Sequence, residues 1–191
     1  MKRRRNRCAA FAANDSGATA VEFALVAAPF LALVIALIQT FLVFFAQQTL
    51  ESIVRQSARL VMTGQVQSAN MSQAVFKQKV CDQIVILFNC SGLMVDMQVA
   101  TTWTAANTAM PTLTYDGTGK VSNVWQYDPG QAGDIVVLRI MYEWPVVLGP
   151  LGFNLSNLSN GNRLIMSATA CAVALTLTFM ESAVPSSTPP I

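Results

Sequence analysis

With 191 residues the chain has room for one modest domain and an anchor, and its 53% apolar against 12% charged residues is far from the ~25% charge of soluble domains and points to a membrane. The net charge of +2 comes from Lys2, Arg3, Arg4, Arg5 and Arg7; beyond residue 17, seven Lys or Arg face nine Asp or Glu, scattered singly, so no nucleic-acid partner is expected. There is no His and no GxSxG, HExxH, phosphate-binding glycine loop or CxxC, so neither an enzyme nor a cofactor or metal site is expected.

Residues 1–17 form a basic leader. From Phe23 to Ala46 the chain then reads FALVAAPFLALVIALIQTFLVFFA, 24 residues broken only by Pro29, Gln39 and Thr40. As a helix this run spans about 36 Å, enough to cross a ~30 Å hydrocarbon core. The cations on its N-terminal side place residues 1–17 in the cytoplasm and the body across the membrane. A removable secretory signal fits less well, because its apolar region would be ~7–15 residues long. The best-placed cut of that kind, after Ala46, would have bulky Phe44 where a small side chain is wanted.

Glu22 stands one residue before the apolar run. An ionised side chain near membrane depth costs on the order of 2–3 kcal/mol unless it is paired, so Glu22 either snorkels to the interface or has a partner. Its surroundings narrow the choice. Residues 16–30 read SGATAVEFALVAAPF after a basic MKRRRNR: leader ending in Gly17, small Ala18 next, Glu22 fifth and Phe23 sixth after that junction, then an apolar stem with an early Pro29. This combination resembles the start of TadE-like proteins, minor pseudopilins of the tight-adherence (Tad, or Flp) pilus system.

The resemblance is close over residues 2–62 and looser beyond. It implies that a prepilin peptidase cuts between Gly17 and Ala18 on the cytoplasmic face, leaving the stem in the protein. The family's acidic residue falls on Glu22, whose partner would be the new α-amino group of Ala18 in the same or a neighbouring subunit. Such a pair would relieve the burial cost of both charges. Major pilins of the system usually carry Tyr after this Glu; Phe23 suits a minor pseudopilin better. The implied partners are the peptidase, other pilins and pseudopilins, the inner-membrane assembly platform and the lipid bilayer. The implied location is the bacterial inner membrane with a periplasmic head, and incorporation in or at the tip of a surface pilus would serve adherence.

Past Ala46, Leu50, Ile53, Val54, Ser57, Ala58, Val61 and Met62 recur at helical spacing among polar residues, predicting one amphipathic helix from 18 to about Gly64, ~70 Å long. Its outer half packs either on partners or on its own head. The head is expected over residues 65–184. Ser72–Phe88 reads as a second helix with Ser72 as N-cap, and Leu93, Val95, Met97 and Val99 alternate with Asp96 and Gln98 as a half-buried strand. Turn signals fall at Asp116-Gly117 and Asp128-Pro129-Gly130, with short β-prone pieces between. In Ile135–Trp144, Val136, Leu138, Ile140, Tyr142 and Trp144 share one face while Arg139 and Glu143 lie on the other. Leu164–Phe179, at 16 residues, is short of the ~20 of a membrane span and reads as a buried final strand. The Ser- and Pro-rich tail, 185–191, reads as disordered.

Cys81, Cys90 and Cys171 lie beyond the leader, and Cys8 leaves with it. An oxidising compartment permits a Cys81–Cys90 disulfide joining the second helix to the following turn, against the alternative of three buried thiols. The expected class is therefore α+β: a long N-terminal helix, transmembrane and then amphipathic, followed by a small head with a second helix and an antiparallel sheet. A processed minor pseudopilin is the leading function; the alternatives are an unprocessed membrane-anchored binding or scaffold protein and, weakest without His, an anchored hydrolase.

Overall fold

The computed structural model describes residues 17–84, 87–146 and 152–174. The leader before Gly17, Cys8, residues 175–179 of the final strand expected to Phe179 and the tail lie outside the described residues; within them that strand ends at Ala172.

Helix α1 runs from Ala18 to Met62, about 68 Å at ~1.5 Å per residue. It ends where expected: the N–H groups of Thr63 and Gly64 donate to the carbonyls of Arg59 and Val61, and Gly64 takes a left-handed φ of 73°, which costs glycine nothing and stops the helix. The helix has two unlike halves. Up to Leu42 its large apolar side chains are bare, with Phe23 74% exposed. From Val43 onward, Ala46, Leu50, Ile53, Val54, Ser57, Ala58 and Val61 form a buried stripe at three-to-four spacing. The outer half thus packs on its own head.

A single turn, α2 (Gln65–Ser68), leads to α3 (Gln73–Asp82). The Ser72 hydroxyl caps α3 by accepting from the Val75 N–H at 3.4 Å, as expected, but the helix stops at Asp82 rather than Phe88. Continued to Phe88, it would carry the chain about 14 Å along the axis between Cys81 and Cys90, whereas their Cα atoms are 5.6 Å apart. The chain has to turn back, with Leu87 in a left-handed φ of 85°.

Strands β1 (Leu93–Ala100), β2 (Ile135–Trp144) and β3 (Arg163–Ala172) form an antiparallel sheet in the order β1-β2-β3. The fold is α+β. Val95, Met97, Val136, Leu138, Ile140 and Ile165 face α1 and α3 and join Leu50, Val54, Val61 and Phe76 in the main core. Leu164–Ala172 pairs along β2, and α1 alone among the described residues is long and apolar enough to cross a membrane.

The opposite sheet face departs from expectation. Strands read as half-buried are covered on both sides, because residues 101–134 fold over the sheet and bring Leu113, Val121 and Trp125 onto Met94, Met141 and Leu164. The β-prone pieces in this connection yield only isolated bridges, Tyr115 with Val121 and Met97 with Tyr127. Its Asp116 turn is closed by side-chain chemistry: Oδ1 accepts from the Thr118 hydroxyl at 2.7 Å and from the Lys120 and Thr118 N–H groups at 2.9 and 2.8 Å. Those bonds hold the Asp116 carboxyl below its ordinary value.

Candidate functional site

The inner end of α1 assembles the residues singled out in sequence. Gly17 is the N-cap, with φ −93° and ψ −11° and no side-chain capping bond. A Cβ added there would meet nothing within 4 Å, so the fold itself does not demand glycine. Ala18 opens the helix and Glu22 follows one turn later, four residues being the spacing that puts side chains on a common face. Glu22 and Phe23 are exposed, and among the described residues Glu22 makes no ion pair.

Beyond them the apolar surface is continuous, with mean hydropathy 2.6 and no buried residue in its most apolar stretch. Pro29 lies inside the helix and lacks an N–H, leaving one carbonyl of the preceding turn without its helical donor. Thr40 meets its own need by donating to the Ala36 carbonyl at 2.8 Å. This half of the stem can rest in lipid or against other apolar helices.

Among the described residues the head contains two cross-links. One joins Cys81 to Cys90, tying the end of α3 to the 3₁₀ turn Cys90–Gly92 that leads into β1. In the chain-entropy picture, closing so short a loop is worth about 2–3 kcal/mol. Cys81→Ser should lower the stability of the head by about that amount, read from denaturant midpoints with and without reductant; peptide mapping that finds both thiols free in protein from the envelope would contradict the linkage. Cys171 is buried on β3 and free, its thiol pushed up by desolvation.

The second cross-link was hidden from sequence reading. Asp96 and Arg139 are direct partners in the β1–β2 register, and both are buried. Arg139 Nε donates to Asp96 Oδ2 at 2.8 Å and Nη2 approaches it at 2.5 Å. Gln98 Nε2 donates to the same oxygen at 3.0 Å, and the Gln126 N–H donates to Oδ1 at 2.9 Å. The last bond pins the 101–134 connection to the sheet. The available signal was a charge of opposite sign near the middle of each of two largely apolar strands, Asp96 in β1 and Arg139 in β2.

Near this cross-link Tyr127 packs on Phe76, and its hydroxyl is buried without a partner among the described residues; desolvation pushes it up to about 12. An open cleft of about 950 Å³ lies between α3 and the connection, lined by Lys77, Lys120, Trp125 and Glu143 among others, and burial pushes the Lys77 amine down. No group of three or more His, Cys, Asp or Glu able to hold a metal occurs among the described residues.

An apolar helix, bare over its first half and packed on an α+β head over its second, defines a stalk-and-head protein consistent with a membrane anchor. Residues 17–59 match the family model described as TadE-like protein. This match supports a TadE-like protein of the Tad pilus system; the likeness covers the stem from Gly17 to Arg59 and stops short of the head. No curated protein and no solved structure matches the chain.

Proposed function

We propose that the chain is a minor pseudopilin: a prepilin peptidase removes residues 1–17, the stem stays in the inner membrane with the head on the periplasmic side, and the processed protein enters pilus assembly as a primer or tip component. The observation that carries this reading is the family match, which begins at Gly17, the small residue directly before the apolar helix α1 and downstream of the basic residues 2–7.

Hydrolysis of the Gly17–Ala18 peptide bond adds one water, leaving a carboxylate on the released leader and an ammonium on Ala18. That cation arises one helical turn from Glu22, beside the apolar run. An anion and a cation at membrane depth each relieve the other's desolvation, and a neighbouring stem that supplies one of them is drawn into register. Other pilins and the assembly platform are therefore the partners this end of the stem suits, and a non-catalytic role fits a chain without His.

Mass spectrometry of the membrane-extracted protein should find Ala18 as the first residue. Gly17→Ala should still be cut and Gly17→Leu should not. Since a Cβ added at Gly17 meets nothing within 4 Å and the position opens the exposed end of α1, failure to cut Gly17→Leu, with the protein membrane-bound at its normal level, would report the peptidase's requirement rather than misfolding. A native chain beginning at Met1 overturns the pseudopilin reading and leaves an anchored binding module.

A further inference from the structure

The head lies along the stem in a fixed sense. Gln47 Nε2 donates to the Met166 carbonyl at 2.9 Å, and the Ala174 N–H donates to the Met62 carbonyl at 2.7 Å. Between these tie points the helix rises about 22 Å and the strand about 26 Å, so β3 runs beside α1 in the same direction. Arg163, the first residue of β3, therefore lies about 10 Å nearer the membrane than Met166, level with about Phe41 of the stem. Trp144 is paired with Arg163 and Tyr142 with Ile165, so the end of β2 lies at the same level.

A second estimate of that level comes from the stem alone. From Glu22 at one edge, a hydrocarbon core of ~30 Å is crossed in about 20 residues, which again reaches Phe41. The base of the head and the outer boundary of the bilayer thus coincide.

Aromatic and apolar side chains gather there. Phe41, Phe44 and Phe45 are exposed on the stem. On the head, Phe88 packs edge-on against Tyr142 and Trp144, and Val146 and Phe153 are half-buried. The nearest cation, Arg163, donates to the Leu155 carbonyl at 2.9 Å. Glu143 turns to the other sheet face, where Asn162 donates to it at 2.8 Å. Aromatic rings beside an Arg, with the acid turned away, are the composition favoured at a lipid–water interface.

We propose that the base of the head, formed by Phe88, Trp144, Val146 and Phe153, is a second membrane contact that rests in the outer interface of the same bilayer the stem crosses. The inference rests on the stem being inserted as proposed above. Its consequence is orientation: a head held by a helix alone can swivel and tilt, whereas a head that also touches lipid presents its opposite pole, with exposed Trp103, away from the membrane.

The full chain reconstituted in phosphatidylcholine vesicles provides the test, because its three tryptophans sample different depths. Two variants each keep one ring: Trp103→Phe with Trp125→Phe retains Trp144, and Trp125→Phe with Trp144→Phe retains Trp103. Lipids brominated near the glycerol level should quench Trp144 several-fold more strongly than Trp103, and equal quenching overturns the contact. A photo-crosslinking residue at Val146 in the otherwise unaltered chain gives a readout free of those substitutions. Adducts to lipid support the contact; adducts to protein, or none, overturn it. Flotation separates the two claims, since protein that does not float with the vesicles refutes the anchor as well, while floating protein with an unquenched Trp144 refutes only the base contact.

Discussion

Glu22→Gln should leave the protein processed and membrane-bound at its normal level while lowering its incorporation into pili by about a hundredfold, the equivalent of about 3 kcal/mol. Glu22 is exposed and makes no ion pair among the described residues, so the substitution leaves the fold of this subunit alone. Gln has nearly the same shape, and removing a charge beside an apolar run eases membrane residence rather than hindering it. What it removes is the anion that would meet the Ala18 ammonium at a stem–stem contact. An unpaired ammonium in that setting costs several kcal/mol, of the order found when one partner of a buried pair is deleted. The measurement is co-purification of the processed variant with other pilins, alongside pilus counts. Normal piliation with fully processed protein would reject the pairing and leave Glu22 as a snorkelling interface residue.

The parts of the fold legible in sequence were those set by one-dimensional periodicity. The stem could be followed from Ala18 to Gly64 because its pattern changes from uniformly apolar to a three-four stripe without a break, and because Gly64 ends it. β2 was legible to the residue, since a β-prone run from Ile135 to Trp144 carries Arg139 and Glu143 on one face and Val136, Leu138 and Ile140 on the other. The end of α3 was not, because Ile84 and the residues after it continue an apolar pattern that helix and strand share, and the disulfide that forces the turn is a tertiary constraint. Nor was the covered sheet face. Alternation identifies Asp96, Gln98, Arg139 and Glu143 as a polar face, which usually means solvent; that a 34-residue connection folds back over it depends on Leu113, Val121 and Trp125 meeting Met94 and Met141, contacts across distances that no local pattern encodes. At the proposed processing site the sequence carried nearly all the information, and the structure adds that Gly17 lies at the helix boundary in open space.

The hidden ion pair carries the largest stability effect. Asp96→Ala should destabilise the head by about 3–5 kcal/mol, a large share of the 5–15 kcal/mol typical of a domain, and lower its unfolding midpoint by about 15 °C. The cause is less the lost attraction than what remains. Arg139 is 7% exposed, and without Asp96 its guanidinium stays in a low-dielectric site with its charge uncompensated, while the Gln126 N–H loses its only acceptor among the described residues. A paired substitution separates this account from a general intolerance of change in the strands. Asp96→Leu combined with Arg139→Met removes both charges and fills the space with apolar atoms, as buried ion pairs commonly allow. It should recover most of the loss, short of about 1–2 kcal/mol for the orphaned Gln126 N–H. Thermal unfolding of the three proteins in one detergent, with the Cys81–Cys90 disulfide intact, decides the matter. If Asp96→Ala melts within about 3 °C of the parent, a loss below about 1 kcal/mol, water reaches Arg139 and the pair does not clamp the connection; if the double variant melts no higher than Asp96→Ala, the strands need these side chains for something other than mutual neutralisation.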